Sequence, residues 1–187
     1  MHDKFQSQQA KRIGSAVALA TLAHEGQTRK YGGMNYITHP LLVCIQTQIW
    51  LPSNSEAAAA AVLHDVLEDT TTPASQIEMV CGKETLALVV ELTNPSNKFP
   101  QISRAERKQM DREHIHSCSY EAQVIKALDR IDNLNEISAA PKDFRELYCQ
   151  ESMLLCKALT PALSQFGETE LIKLFHFTLK EVGGVAP

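Results

Sequence analysis

Between Ala57 and Thr71 the chain reads AAAAAVLHDVLEDTT, and inside it His64, Asp65, Glu68 and Asp69 place one imidazole and three carboxylates within six positions. On a helix, residues four apart share a face, so His64 lies beside Glu68 and Asp65 beside Asp69. Two neighbouring stripes of ligand-type side chains then point in similar directions. Imidazole combined with carboxylate oxygen suits Mn²⁺, Fe²⁺ or Zn²⁺, and the absence of thiolates leans toward the harder ions. Charge among Ala, Val and Leu is costly when buried and unpaired, so the pattern has two readings: a helix end emerging into water, or charges with something to hold.

An adjacent His-Asp pair is weak evidence by itself, because such pairs arise by chance and a single histidine is more often packed or solvated than a ligand. Donors at other helix ends change the balance. His39 precedes Pro40 at a helix entry, where the proline restricts its backbone. Asp129 lies in KALDRIDNL, with Asn133 one turn later on the same face. His39, His64, Asp65 and Asp129 make a candidate set of two histidines and two aspartates. By contrast, His114 and His116 in REHIHS lack carboxylates of suitable spacing and are read as surface residues, and Trp50 as packing. Arg107 and Lys108 are read as a solvated helix face.

The elements that must carry these groups are helical. No stretch sustains period-2 alternation, and no Asn-Gly or Asp-Gly hairpin is flanked by β-branched runs. The spacing predicts helices from about Lys4 to Glu25, from Pro40 to before Pro52, and from a Ser53 or Ser55 cap through Ala57 to about Asp69. Short helices follow at Ala74 to Cys81 and Lys83 to Leu92, divided by Gly82. After the irregular TNPSNKFPQIS come RAERKQMDREHIH, then Glu121 to Ser138, Asp143 to Leu159 and Glu168 to Val182. The expected fold class is all-α, a compact multi-helix domain over residues 1–187.

A chain of 187 residues with 44% hydrophobic content can build one substantial core. Its formal charge of −4 argues against a surface that binds nucleic acid throughout, and leaves room for a local basic pocket. Five cysteines in no CxxC pattern suggest neither a disulfide framework nor a thiolate zinc site, which fits a reducing, cytoplasmic setting. The apolar run SAVALATLA is short for a membrane span, so no membrane partner is expected. A homo-oligomer stays open.

The ordered motifs His39-Pro, His64-Asp, Glu68-Asp and Asp129-Arg-x-x-Asn resemble the signature of HD-superfamily metal-dependent phosphohydrolases. A longer match is more specific. AHEGQTRKYGGMNYITHP, AAVLHDVLEDT and KALDRIDNL are similar, in order and spacing, to the hydrolase domain of RelA/SpoT-type stringent-response enzymes. With no synthetase region attached, the chain resembles a small stand-alone alarmone hydrolase of the metazoan SpoT-homologue kind. The similarity covers about residues 10–160.

That resemblance implies that His39, His64, Asp65 and Asp129 hold one Mn²⁺. A divalent ion with an open position binds water, lowers its pKa and polarises a phosphoryl oxygen. Glu68 and Asp69 then orient the water and move its proton. For substrate, the resemblance implies contacts from Arg29 and Lys30, from Asn133 to phosphate or sugar oxygens, and from Tyr148 near the nucleoside, while Lys98 and Arg104 border the long loop. His24 matches a family position without being a ligand and is read as packing. Two departures bear on base recognition: GMNYITHP lacks the proline usual before the family histidine, and Leu128 stands where members often carry alanine.

The implied activity is Mn²⁺-dependent removal of the 3′-pyrophosphate from a nucleotide alarmone, (p)ppGpp or (p)ppApp. Two alternatives stand beside it: another HD phosphohydrolase, such as a 5′-nucleotidase or cyclic-nucleotide phosphodiesterase, and a non-catalytic nucleotide sensor.

Overall fold

A computed structural model describes residues 2–183, with side chains described from residue 7 onward. The remaining residues of the 1–187 span lie outside the described residues. Among the described residues the structure is all-α: ten α-helices, two 3-10 turns and a single isolated bridge between Thr28 and Asn35. Two compact units divide the chain. The first comprises the residues up to Arg29 together with Met34–Thr93, and the second comprises Lys30–Gly33 with the chain from Asn94 onward.

The first unit holds α1 (His2–Ala23), α2 (Thr38–Trp50), α3 (Ser55–Leu63), α4 (Val66–Asp69), α5 (Ala74–Cys81) and α6 (Lys83–Leu92). Helix α3 is its centre, packed against α1, α2 and α6. Every residue from Ala57 to Leu63 is fully buried. A helix buried all round needs apolar residues on every face, and alanine lets three neighbours approach closely, which accounts for the AAAAA run. The cap is Asn54, not the expected Ser53 or Ser55: its side chain accepts the Ala57 N–H at 2.9 Å. Ser53 takes a left-handed φ of 66°, and Ser55 is the first helical residue, its hydroxyl receiving Arg12 Nη1 at 2.6 Å. Gly82 separates α5 from α6 at φ 93°, a conformation that a side chain would strain.

The expected single helix from Ala57 to Asp69 is broken at its functional residues. Helix α3 stops at Leu63, and His64 and Asp65 form a turn, Asp65 at φ −98°, ψ −5°, before α4 begins. The His64 imidazole bonds the Ala61 carbonyl through Nδ1 at 2.9 Å, the acceptor that the Asp65 N–H would use in an uninterrupted helix. The imidazole thus folds back along the last turn of α3, at the point where the helix gives way to the turn.

The second unit holds the 3-10 turn Pro95–Lys98, α7 (Arg104–His116), α8 (Tyr120–Glu136), the 3-10 turn Ile137–Ala139, α9 (Lys142–Gln165) and α10 (Thr169–Glu181). A capping box between Ser103 and Glu106 starts α7, and Ser119 caps α8. The irregular stretch before α7 is pinned where the Asp111 carboxylate accepts the Ser96 N–H and hydroxyl at 3.2 and 3.0 Å. Helix α9 packs on α7, α8 and α10. It runs through Pro161 to Gln165, past the expected end near Leu159, because the burial of Leu159 and Leu163 outweighs the lost backbone bond. Residues 30–33 join this unit through Glu136, whose carboxylate accepts the N–H groups of Tyr31 and Gly32 at 3.2 and 2.9 Å.

Candidate functional site

In the first unit, three expected ligands converge. His39 and His64 are 1% and 2% exposed, and their rings meet edge to face with centroids 5.0 Å apart. Asp65 Oδ2 lies 2.8 Å from His64 Nε2 and 3.8 Å from His39 Nε2, and one donor atom from each residue falls within 4.8 Å of the others. A carbonyl only accepts, so the Ala61 contact puts a proton on His64 Nδ1 and turns Nε2 toward Asp65. An ion held between Nε2 and the carboxylate fits this arrangement. The Tyr36 hydroxyl donates to the same Asp65 oxygen and fixes the carboxylate's orientation. Two imidazoles and a carboxylate, each oriented by an outer hydrogen bond or ring contact, fit a divalent transition ion, whose N and O ligands sit at roughly 2.0–2.2 Å.

Glu68 and Asp69 lie on α4, a single turn too short to hold itself. Both of their N–H groups return to the Asp65 carbonyl, at 3.1 and 2.8 Å. From outside the turn, Gln27 Nε2 donates to the Asp69 carbonyl at 3.0 Å, and Gln27 Oε1 is held 2.8 Å from His24 Nδ1. His24 is buried and packs on the Tyr36 ring at 4.7 Å, as its packing assignment requires. Burial first, then the charges of Asp65 and Glu68, raise the Asp69 pKa above the ordinary carboxylate range, with His24 and His64 opposing. A raised pKa suits a carboxylate that must hold a proton and release it.

Arg29 is buried, and its backbone N–H bonds the Met34 carbonyl at 2.8 Å, closing the loop that leads toward His39. Sequence reasoning missed Tyr36 and Gln27. Their signal was position alone, inside the AHEGQTRK and NYITHP segments.

The second unit gathers a different group. Lys30 Nζ stands 5.3 Å from the Tyr31 ring centre and 5.1 Å from that of Phe144, and Phe144 lies 6.0 Å from Tyr148. The Arg104 guanidinium sits 5.6 Å from Phe144 and grips Glu151 with two bonds of 2.7 and 2.9 Å. Arg130 stacks on Tyr148 at 4.5 Å. Burial pushes the Tyr148 phenol up, against the pull of Arg130. Cations over aromatic faces are suited to a planar base and its phosphates. Lys30 and Tyr148 therefore share one cluster, to which Phe144 is an addition that the sequence did not suggest.

Asp129 is buried in the same unit, with Lys126 Nζ at 3.1 Å and the Asn133 amide donating to it at 2.6 Å. Lys98 closes the 3-10 turn with its side chain exposed. Of the two surface histidines, His116 is exposed and bonds the Ala158 carbonyl, whereas His114 is half-buried with Nε2 3.6 Å from Cys118 Sγ, since α7 turns it back over its own end. All five cysteines are free, and burial lifts the Cys44 and Cys156 thiols to about 11, which fits inert packing. No helix among the described residues is long and apolar enough to cross a membrane.

Against this geometry stand the known proteins. The HD-domain family profile matches residues 16–160. The bifunctional (p)ppGpp synthase/hydrolase SpoT of Escherichia coli K12 is 32% identical over 162 residues, covering 83% of this chain and 22% of its own length. The chain thus spans about a fifth of that relative. The guanosine-3′,5′-bis(diphosphate) 3′-pyrophosphohydrolase MESH1 of Xenopus tropicalis is 32% identical over 148 residues, covering 78% of this chain and 80% of its own. Its human counterpart is 30% identical, covering 76% and 79%. A solved structure, described as a metazoan ortholog of SpoT that hydrolyzes ppGpp, shares the fold with a TM-score of 0.79 at 22% identity, over 92% of this chain and 96% of its own.

Proposed function

The chain belongs to the HD-domain family, and from that premise we propose that it is a divalent-metal hydrolase of nucleotide alarmones, acting as one HD-type domain. It removes the 3′-pyrophosphate of (p)ppGpp or (p)ppApp, giving pyrophosphate and a nucleoside 5′-phosphate. The observation that carries the reading is the His39, His64 and Asp65 cluster with Glu68 and Asp69 on the adjoining turn. Relatives that match most of their own length are named as 3′-pyrophosphohydrolases of guanosine bis(diphosphate), which supports the substrate class.

His39, His64 and Asp65 hold the ion; Asp129 is assigned as the fourth ligand on its sequence motif alone. The donor set suits Mn²⁺, Fe²⁺ or Zn²⁺, and Mn²⁺ is taken from the resemblance to the alarmone hydrolases. When bound, it supplies Lewis acidity at the phosphoryl group and lowers the pKa of water. Asp69, with Glu68 beside it, takes the proton from the attacking water. The oxygen of that water bonds the phosphorus attached to the ribose 3′ oxygen, the P–O3′ bond breaks, and the 3′ oxygen leaves with a proton. Arg29, Lys30 and Lys98 neutralise phosphate charge, Asn133 donates to phosphate or sugar oxygens, and Tyr148 packs on the nucleoside. Five free cysteines support a reducing, cytoplasmic setting.

Purified protein incubated with Mn²⁺ and, separately, ppGpp, pppGpp, ppApp and pppApp should release pyrophosphate from at least one. No release from any 3′-pyrophosphorylated nucleotide, with turnover of mononucleotides or cyclic nucleotides instead, would replace this reading with that of another HD phosphohydrolase.

A further inference from the structure

In the second unit, α7, α8 and α9 line a small recess open to solvent. Lys108 and Arg112 of α7 and Lys126 and Arg130 of α8 line it, against only two carboxylates, Asp111 and Glu151. Those carboxylates are already engaged. Asp111 accepts both bonds from Ser96, and both oxygens of Glu151 are taken by Arg104. Lys126 is committed to Asp129.

The remaining cations are under-compensated. Lys108 comes no nearer than 3.9 Å to Asp111, and Arg112 has no side-chain partner among the described residues. Arg130 is 9% exposed; its Nη1 donates to Ser152 Oγ at 3.1 Å, and its Nε–H is buried without a hydrogen-bond partner. A buried donor left unmade is expensive, and native structures retain few of them. Lys108, expected from the sequence to sit on a solvated face, is half-buried, and its pKa is pushed down by desolvation and by the neighbouring charges of Arg130 and Lys126, with Asp111 and Glu151 opposing. An anion in the recess would relieve both penalties.

We propose that this recess is a binding site for a phosphate dianion, held by Lys108, Arg112 and the Nε of Arg130. Donors converging from two helices match an acceptor with several oxygens better than a halide or a single carboxylate. The mouth opens into a groove between α7 and α9 that shares Lys108 and Arg112 and adds the exposed Leu147 and Leu154. An organic group on the phosphate lies along those leucines, so the ligand class is a phosphate monoester, with inorganic phosphate as its smallest member. Arg130 belongs both to this recess and to the aromatic cluster, so the site adjoins the groups assigned to substrate without resting on the hydrolase reading.

Metal-free protein, kept in chelator so that the histidine cluster cannot recruit phosphate through an ion, is titrated by calorimetry with inorganic phosphate and with phenyl phosphate, against sodium chloride of matched ionic strength. Both phosphates should bind, the ester more tightly because its ring lies along the groove, and equal affinities would overturn the assignment to a monoester. Lys108→Gln and Arg112→Gln should each weaken binding by about tenfold or more. In wild-type protein labelled at lysine ¹³Cε, phosphate should move the Lys108 pKa upward, a readout that needs no variant to fold. Binding no stronger than chloride, binding unchanged in both variants, or a stationary Lys108 resonance would each overturn the site. Activity is not read, so its failure leaves the hydrolase reading untouched.

Discussion

The histidine cluster of the first unit and the aromatic cluster of the second are built by opposite means. In the first, two ligands are chain neighbours, and each group is fixed by a directional hydrogen bond or ring contact: Nδ1 of His64 to Ala61, the Tyr36 hydroxyl to Asp65, the Tyr36 ring against His39. In the second, Lys30, Arg104, Arg130, Phe144 and Tyr148 come from four separate segments and meet largely through cation and ring contacts 4.5–6.0 Å long. An ion demands lone pairs at set positions, so its ligands must be over-determined. Stacking and charge neutralisation fall off gently with distance, so a looser assembly suffices.

That contrast can be broken at its strongest point first. His64→Ala or Asp65→Ala should abolish measurable Mn²⁺ binding by calorimetry and lower alarmone turnover by about 10³-fold or more, because each removes both a ligand and its neighbour's orientation. Asp69→Asn should separate holding the ion from moving the proton: turnover falls by about 10²- to 10⁴-fold while Mn²⁺ affinity stays within a few-fold. If Mn²⁺ affinity fell in parallel, Asp69 would have to be counted among the ligands.

In the second unit the expected losses are smaller. Phe144→Ala should raise KM for the alarmone by about tenfold with kcat little changed, since one stacking partner contributes roughly 1–3 kcal/mol to a bound base. A fall confined to kcat would place the aromatic cluster outside substrate binding. Beneath the first site, Ala60→Leu should cost about 1–3 kcal/mol of stability in denaturant unfolding, because α3 has no free face to receive the added carbons.

The smallest effect sharpens the electrostatic half of the comparison. Asp69 has a raised pKa in the folded metal-free protein, so the folded state binds its proton more tightly than the unfolded chain does. Its favourable contribution is present at acid pH, below the ordinary aspartate pKa, and is lost as pH rises through the raised value. Asp69→Asn should therefore gain Tm relative to wild type as pH rises toward neutrality. A difference in Tm that did not vary with pH would mean that Asp69 has an ordinary pKa.

Much of the framework was legible in local chemistry. Gly82 divides α5 from α6, Ser103 with Glu106 starts α7, and α7 ends at His116, all as the spacing predicts. The failures share a cause. The turn after Leu63 comes with an imidazole reaching back to a carbonyl, the passage of α9 through Pro161 depends on packing by Leu159 and Leu163, and the half-burial of Lys108 depends on charges carried by neighbouring helices. None of these is encoded in the periodicity of its own segment.

By itself, the sequence determined that this protein is helical, that its ligand-type side chains are imidazoles and carboxylates, and that His64 and Asp65 stand one turn before Glu68 and Asp69. Helical period and side-chain chemistry are local properties, set by residues a few positions apart. Only the tertiary structure decided that Tyr36 orients Asp65, that Gln27 and His24 pin the Asp69 turn, and that Phe144 bridges Lys30 and Tyr148. Those contacts join segments that no local spacing relates, and packing alone brings them within bonding distance.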